Sequence, residues 1–376
     1  MSRNPFTLKE VAAGSAFCDR RQEFSDFLRF AGAAQNVLLY SPRRYGKTSL
    51  MRNVQDRLAA EGALTAYCDL FGVSSVEEIA GRIARSIYAV TRKNENLFKK
   101  SIRFLSSFRP VLSPGPDGGI AVSVQPAYTL EAMELLDATL EALEKFVRDV
   151  PDPVHIVLDE FQEISEIDHT VRIEGRLRHY IQQMKCGFVF VGSRRRILLE
   201  MFNGRKRPFF QSSIHYELKA LPQRDLIDFI VSRFAGAGKS IPSAHAAEIC
   251  EMTGRHPYYV QKLCFFLFDR IRKNVRHEDV QATFRVMLES EKTLFESILR
   301  RLSAKQITVL TAIAKEPTAR LFAAGYMTRH YLKSTGGIQR ALGVLTAEDL
   351  VERIEADGKW RVVDPLFRQW LREKAL

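Results

Sequence analysis

The segment Ser41-Pro42-Arg43-Arg44-Tyr45-Gly46-Lys47-Thr48 fits the phosphate-binding pattern G-x-x-x-x-G-K-[ST], with serine at the first glycine position. The chemistry needs backbone N–H groups curled around phosphates at a helix N-terminus, a lysine reaching the β and γ phosphates, and a hydroxyl on Mg²⁺. All three survive the serine, so the expected nucleotide-contacting residues are Ser41, Pro42, Arg43, Arg44, Tyr45, Gly46, Lys47, Thr48 and Ser49. A second chemical feature is Asp159-Glu160, which ends the apolar run Val154 to Leu158. An aspartate there can hold Mg²⁺ together with Thr48, and a glutamate can orient or deprotonate an attacking water. Ser193 closes a further apolar run and is a candidate sensor of the γ-phosphate; its plainer reading is a turn serine. Arg194, Arg195 and Arg196 follow it, and Arg205 and Arg207 precede Pro208-Phe209-Phe210. Guanidinium forks suit developing phosphate charge, so one of these is a candidate arginine finger, with Arg194 the nearest to Ser193 in sequence. The catalytic set read in this way is Lys47, Glu160, Ser193 and Arg194, with Thr48 and Asp159 as the metal ligands.

These residues can act together only if strands deliver them to one edge. Asn36 to Tyr40, with Val37, Leu38 and Leu39, reads as a strand, and Leu50, Met51, Val54 and Leu58 give the segment after the loop a helical period. Leu64 to Leu70 is a second strand, followed by a helix with Val76, Ile79, Ile83 and Ile87 on one face. The run Val154 to Glu160 is a near-continuous apolar strand of the kind buried on both faces of a parallel sheet, and Gly187 to Ser193 is again strand-like. Four strands with intervening helices predict an α/β core ending near Leu221-Pro222. Between Ser106 and Pro126 a Pro- and Gly-rich stretch predicts an excursion carrying a hairpin rather than a domain boundary.

From Gln223 to about Arg300 the pattern is helical, and Ile227, Phe229, Ile230 and Phe234 lie at core spacing. Beyond Leu302 come a helix with Ile307, Leu310 and Ile313, a short helix near Leu321 to Thr328, and a helix capped by Ser334 or Thr335. Two strand-like runs, Val351 to Ile354 and Trp360 to Val363, flank Asp357-Gly358, a strong hairpin signal. Three helices and a two-stranded wing describe a winged helix. Lys333, Gln339, Arg340, Lys359 and Arg361 suit a DNA-reading face, whereas Glu348 and Asp349 at the far end of the helix oppose phosphate contact. Such modules also pack against ATPase cores, and the sequence leaves both roles open.

The chain has 376 residues, enough for two or three domains, of which 46% are hydrophobic and 27% charged. No segment approaches the length of a membrane span, and the N-terminus lacks the pattern of a secretory signal, so a soluble cytoplasmic protein is expected. Five scattered cysteines without a C-x-x-C pair argue against a disulfide framework and a zinc site. A net charge of +12 suits an acidic partner such as double-stranded DNA, or simply makes a basic solubilising surface.

Taken in order, Phe17-Cys18-Asp19-Arg20, the phosphate loop, Leu158-Asp159-Glu160-Phe161-Gln162, Val191-Gly192-Ser193, Arg207-Pro208-Phe209-Phe210 and His256-Pro257-Tyr258-Tyr259-Val260-Gln261 resemble the prokaryotic and archaeal ATPases of AAA+/STAND P-loop type with a C-terminal winged helix. The resemblance spans nearly the whole chain. It implies a P-loop core over 1–222, a helical lid over 223–300 and a winged helix over 301–376. It also assigns Phe17 to Arg20, and Arg20 in particular, to nucleotide binding, with Asp19 standing where glycine is usual. Gly254-Arg255-His256-Pro257 looks like the family's Gly-x-Pro lid element, placing His256 and Pro257 toward nucleotide, with Arg255 in place of glycine. The expected cofactors are ATP and Mg²⁺. The expected activity is a nucleotide-dependent switch acting on DNA or on a protein, and some relatives act as homo-oligomers. The alternative is a DNA-binding regulator in which nucleotide is a structural ligand. A small-molecule kinase is disfavoured because no acceptor pocket is evident and the C-terminal additions would be unexplained.

Overall fold

A computed structural model describes residues 4–8, 18, 20–92, 94–114, 120–354 and 357–374. The chain divides into two compact units, one made of Arg20–Lys219 and one of Met1–Asp19 with Ala220–Leu376.

In the first unit the elements run α1 (Arg21–Gly32), β1 (Val37–Tyr40), α2 (Lys47–Ala60), β2 (Leu64–Asp69), α3 (Val76–Thr91), α4 (Glu95–Phe104), β3 (Phe108–Pro114), β4 (Ile120–Pro126), α5 (Ala132–Asp149), β5 (Val154–Asp159), α6 (Thr170–Ile181), β6 (Gly187–Gly192), α7 (Arg195–Asn203) and β7 (Ile214–Glu217). A 3₁₀ turn, Phe161–Glu166, follows β5. The strands β1, β5 and β6 are buried throughout, as their unbroken apolar sequences require. The sheet is parallel in the order β2-β5-β6-β1-β7. Five strands replace the expected four, the fifth being β7. Its sequence, Ile-His-Tyr-Glu, has little apolar character, and it is an edge strand with mostly exposed residues.

The excursion expected between Ser106 and Pro126 is the antiparallel hairpin β3-β4, a sheet of its own outside the main one. It packs on α3: the Phe108 ring and Val124 lie 3.6 to 3.7 Å from where a Cβ at Gly81 would sit. The unpredicted helix α4 is capped by Asn94, whose side chain accepts from the N–H groups of Asn96 and Leu97.

An aromatic cluster packs where β5 and β6 lead into the turn and helix that follow them. Phe161 lies 4.7 Å from Phe190 and 5.5 Å from Phe209, and Phe202 lies 5.1 Å from Phe209, all four being buried. It fixes the turn after β5 and the end of α7 relative to β6. The same region contains a buried ion pair, in which the Arg207 guanidinium donates through Nε (3.1 Å) and Nη2 to the two carboxylate oxygens of Glu174. Glu174 has no exposed side-chain surface, and its burial pushes its pKa up while Arg207 opposes that shift. Arg207→Ala should therefore destabilise the protein by about 3 kcal/mol, because it strands a buried carboxylate, and Glu174→Gln in the same chain should restore most of the loss. Denaturant unfolding of the two single variants and the double variant checks this; additive losses would show that the pair is not coupled.

The second unit contains α8 (Gln223–Gly236), α9 (Ser243–Met252), α10 (Pro257–Arg270), α11 (His277–Arg300), α12 (Ala304–Lys315), α13 (Ala324–Arg329), α14 (Thr335–Ala347), β8 (Val351–Arg353), β9 (Trp360–Val362) and α15 (Pro365–Lys374). The three helices and the antiparallel wing anticipated after Leu302 are present, capped at Ser303 and Ser334. An additional helix, α15, closes the unit: Asp364 Oδ1 accepts from the N–H groups of Leu366 and Phe367. The segments 223–300 and 301–376 share one hydrophobic core. Phe295 of α11 lies 5.0 Å from Phe367 of α15, and Phe6 lies 5.2 Å from Phe234. All five cysteines are free thiols, Cys18 half-buried and the others buried. No helix among the described residues is long and apolar enough to cross a membrane.

Candidate nucleotide site

The strand order assembles the site. Because β6 lies between β1 and β5, the loop after β1, the acidic pair after β5 and Ser193 after β6 meet at one edge of a parallel sheet. Ligands of open α/β sheets bind at that edge, outside the carboxyl ends of the strands.

The loop turns into α2 through Gly46, whose φ of +87° lies in the left-handed region that favours glycine. Arg44 is also left-handed, at +61°. Lys47 begins the helix and is buried, with Nζ donating to the carbonyl oxygens of Ser41 and Pro42, both at 3.0 Å, and reaching Ser41 Oγ at 3.3 Å. Burial brings the Lys47 pKa down to about 8, although the charges of Glu160 and Asp159 pull it up. A lysine with its folded pKa below its unfolded value is a net burden while charged in both states, and the burden lifts as pH rises between the two. Wild-type stability relative to Lys47→Met should thus be flat below pH 8 and rise from about 8 toward 10.5, by about 1 kcal/mol per pH unit. Denaturant unfolding of both proteins from pH 7 to 10 tests it; a difference that does not change with pH would contradict the buried-ammonium description.

Thr48 Oγ1 donates to Asp159 Oδ2 at 3.0 Å. The same carboxylate oxygen accepts from the Tyr67 hydroxyl, and Oδ1 accepts from the Glu160 N–H at 2.9 Å. Burial raises the pKa of Asp159, against the lowering effect of the Tyr67 hydrogen bond. Burial also pushes the Tyr67 phenol well above its usual range, with the Asp159 charge second, so it stays a donor. The Arg52 guanidinium lies 3.6 Å from the centre of the Tyr67 ring. Glu160 has a left-handed φ of +51°, and its Oε2 accepts from Ser193 Oγ at 3.3 Å and from Gln162 Nε2. Gln162 is fully buried, and it fits only because residue 192 is glycine: a Cβ there would collide with Gln162 Oε1 and lie 2.8 Å from Leu198.

Lys47, Thr48, Asp159, Glu160 and Ser193 are therefore brought together, with Ser41, Pro42 and Gly46 shaping the loop around the lysine. Ser49 is buried in the first turn of α2, where its carbonyl accepts from Asn53 at 2.7 Å. Arg43 and Arg44 are exposed. Arg20 is buried and braces the loop from behind, donating to Tyr45 O at 3.3 Å, Lys219 O at 2.7 Å and Glu23 Oε1 at 2.8 Å. Phe17 and Asp19 lie outside the described residues.

Arg194 forms an ion pair with Glu166 at 2.5 Å. Its neighbour Arg195 is the one drawn to the end of β1, 5.7 Å from the Tyr40 ring centre and 3.7 Å from Glu217. His256 and Pro257 belong to the second unit, at the N-cap and first position of α10, with the His256 ring 4.6 Å from Tyr259. Tyr67, Arg52 and Gln162 were not picked out as site residues from the sequence. Only the neighbouring of β2 and β5, with Asp69 opposite Asp159, reveals Tyr67, and no local signal predicts that pairing.

Residues 293–373 match the model of a probable winged helix domain. No curated protein matches the sequence. Among solved structures, the chain is similar to a Walker-type ATPase of Pyrococcus abyssi, at TM-score 0.69 and 16% identity, covering 98% of this chain and 99% of that one. The ORC2 protein of Aeropyrum pernix, in complexes with ADPNP and ADP, gives 0.57 and 16%, covering 100% and 98%. The ORC1 protein of the same organism, in complex with DNA, gives 0.51 and 14%, covering 96% and 94%. At these identities the likeness is one of fold: a parallel-sheet α/β core followed by a C-terminal segment that matches a winged helix.

Proposed function

We propose that this chain binds ATP at the loop Ser41–Thr48 and hydrolyses it, using the nucleotide state as a switch that acts on DNA. The observation that carries this is the convergence of Lys47, the Thr48–Asp159 hydrogen bond and the Glu160–Ser193 hydrogen bond at one sheet edge. Thr48 Oγ1 and Asp159 Oδ2 are hard oxygen donors 3.0 Å apart, a set that suits Mg²⁺. When bound there, the ion would neutralise charge on the β and γ phosphates. Lys47 exchanges its loop carbonyls for phosphate oxygens. Glu160, held by Ser193 and Gln162, accepts a proton from the attacking water, and Ser193 reports the γ-phosphate to the same carboxylate. Among the described residues Arg194 pairs with Glu166 and Arg195 is the arginine beside the loop strand, so neither is assigned as the arginine finger. A finger donated by a second copy fits this arrangement.

DNA is the favoured partner because Lys333, Gln339 and Arg340 are exposed around the start of α14, and the similar ORC1 structure is a complex with DNA. Lys359 and Arg361 in the wing are engaged by Asp357 and Glu352, so the helix rather than the wing carries the free basic face. Mg²⁺-dependent ATP turnover should rise on adding double-stranded DNA and lose that rise with salt, with Lys47→Ala as the control for contaminating activity. Turnover indifferent to DNA would point to a protein partner. Binding without turnover would favour a regulator for which nucleotide is a structural ligand.

A further inference from the structure

We infer that His245, Glu248 and His277 form a binding site for a zinc-class divalent metal in the second unit, separate from the nucleotide site. His245 and Glu248 lie one turn apart on α9, and His277 is the first residue of α11. Their donor atoms lie within 4.8 Å of one another, forming the one such histidine, cysteine and carboxylate group among the described residues. Glu248 Oε2 is 3.0 Å from His277 Nδ1 and 3.9 Å from His245 Nδ1. Ligands about 2.1 Å from a tetrahedral ion stand roughly 3.4 Å apart, a value these two spacings bracket.

The carboxylate is also aimed. Gln281, one turn along α11, donates Nε2 to the other oxygen, Glu248 Oε1, leaving Oε2 turned to both imidazoles. A partner that orients a metal-ligating carboxylate in this way is a regular part of such sites. Two imidazole nitrogens and one carboxylate oxygen favour Zn²⁺ and its late first-row neighbours over Mg²⁺ or Ca²⁺, which prefer oxygen. The His245 and Glu248 side chains are about one-quarter and one-fifth exposed and that of His277 is 62% exposed, so an ion can enter and water can complete its coordination. Bound there, it would clip the start of α11 to α9, and the C-terminal end of α11 lies within the segment that matches the winged helix. The cysteine pattern gave no hint of this site, because its ligands are histidines from helices that only the fold brings together.

The test is calorimetric titration of the EDTA-treated full chain with Zn²⁺, in millimolar Mg²⁺ so that Thr48 and Asp159 do not compete. The expected result is one Zn²⁺ per chain, with binding lost in His245→Gln, Glu248→Gln and His277→Gln and retained in Asp159→Asn. Gln281→Leu should weaken it by about 10-fold. Zn²⁺ should raise the melting temperature of the wild type but not of His277→Gln, an exposed position where folding is not at risk. Titration with Co²⁺ should give the visible absorption of a low-coordinate ion in wild type alone. The site is refuted if Zn²⁺ fails to bind with 1:1 stoichiometry, or binds the three ligand variants as it binds wild type. Failure here leaves the ATPase proposal untouched, because that rests on the other unit.

Discussion

Lys47→Ala is expected to reduce ATP turnover by roughly 10² to 10³-fold, the scale of losing one preorganised charge-stabilising donor in a phosphate or oxyanion site. The ammonium sits inside the loop, with carbonyl partners at 3.0 Å from both Ser41 and Pro42, so it is already positioned where phosphate oxygens would displace those carbonyls. Alanine leaves the loop backbone and Gly46 in place, so the helix N-terminus and its N–H groups persist, and residual nucleotide affinity should too. Lys47→Arg should not rescue turnover, since a planar guanidinium cannot occupy the narrow space of a buried ammonium. Turnover assays with radiolabelled ATP and fluorescent-nucleotide binding separate the two effects. Wild-type turnover in Lys47→Ala would place the activity outside this loop and end the proposal.

Glu160→Gln should lower kcat by ~10² to 10⁴-fold, the range for removing a general base, while ATP binding is kept. The amide is isosteric and can still accept from Ser193 Oγ and face Gln162, so the turn after β5 keeps its shape. Asp159→Asn should behave differently. It removes a charge that Thr48, Tyr67 and the Glu160 N–H all address, and it should raise the Mg²⁺ concentration needed for half-maximal turnover. Measuring kcat and nucleotide Kd for both variants across Mg²⁺ concentrations distinguishes base from metal ligand. Near-wild-type hydrolysis in Glu160→Gln would remove the base and turn the argument toward nucleotide as a structural ligand.

The sequence by itself determined the parts whose signals are local. The loop from Ser41 to Thr48 is contiguous, its strand and helix flank it directly, and Asp159-Glu160 ends a run of apolar residues that only a buried strand tolerates. The capped helices and the Asp357-Gly358 turn of the winged helix are local in the same way. The tertiary structure decided what depends on which strands are neighbours. Ser193 meets Glu160 because β6 inserts between β1 and β5, and Tyr67 meets Asp159 because β2 flanks β5, neither of which is written in spacing. Sequence adjacency did not show the pairings of the arginines after β6, where Arg194 pairs with the exposed Glu166 of the 3₁₀ turn and Arg195 lies beside Tyr40 of β1. The edge strand β7 was invisible because an exposed strand needs no apolar run, only a neighbour's backbone to pair with. The shared core of the helical and winged-helix segments was hidden for a similar reason: a buried face shows that a helix packs, while the partner it packs against is fixed by contacts between residues far apart in the chain.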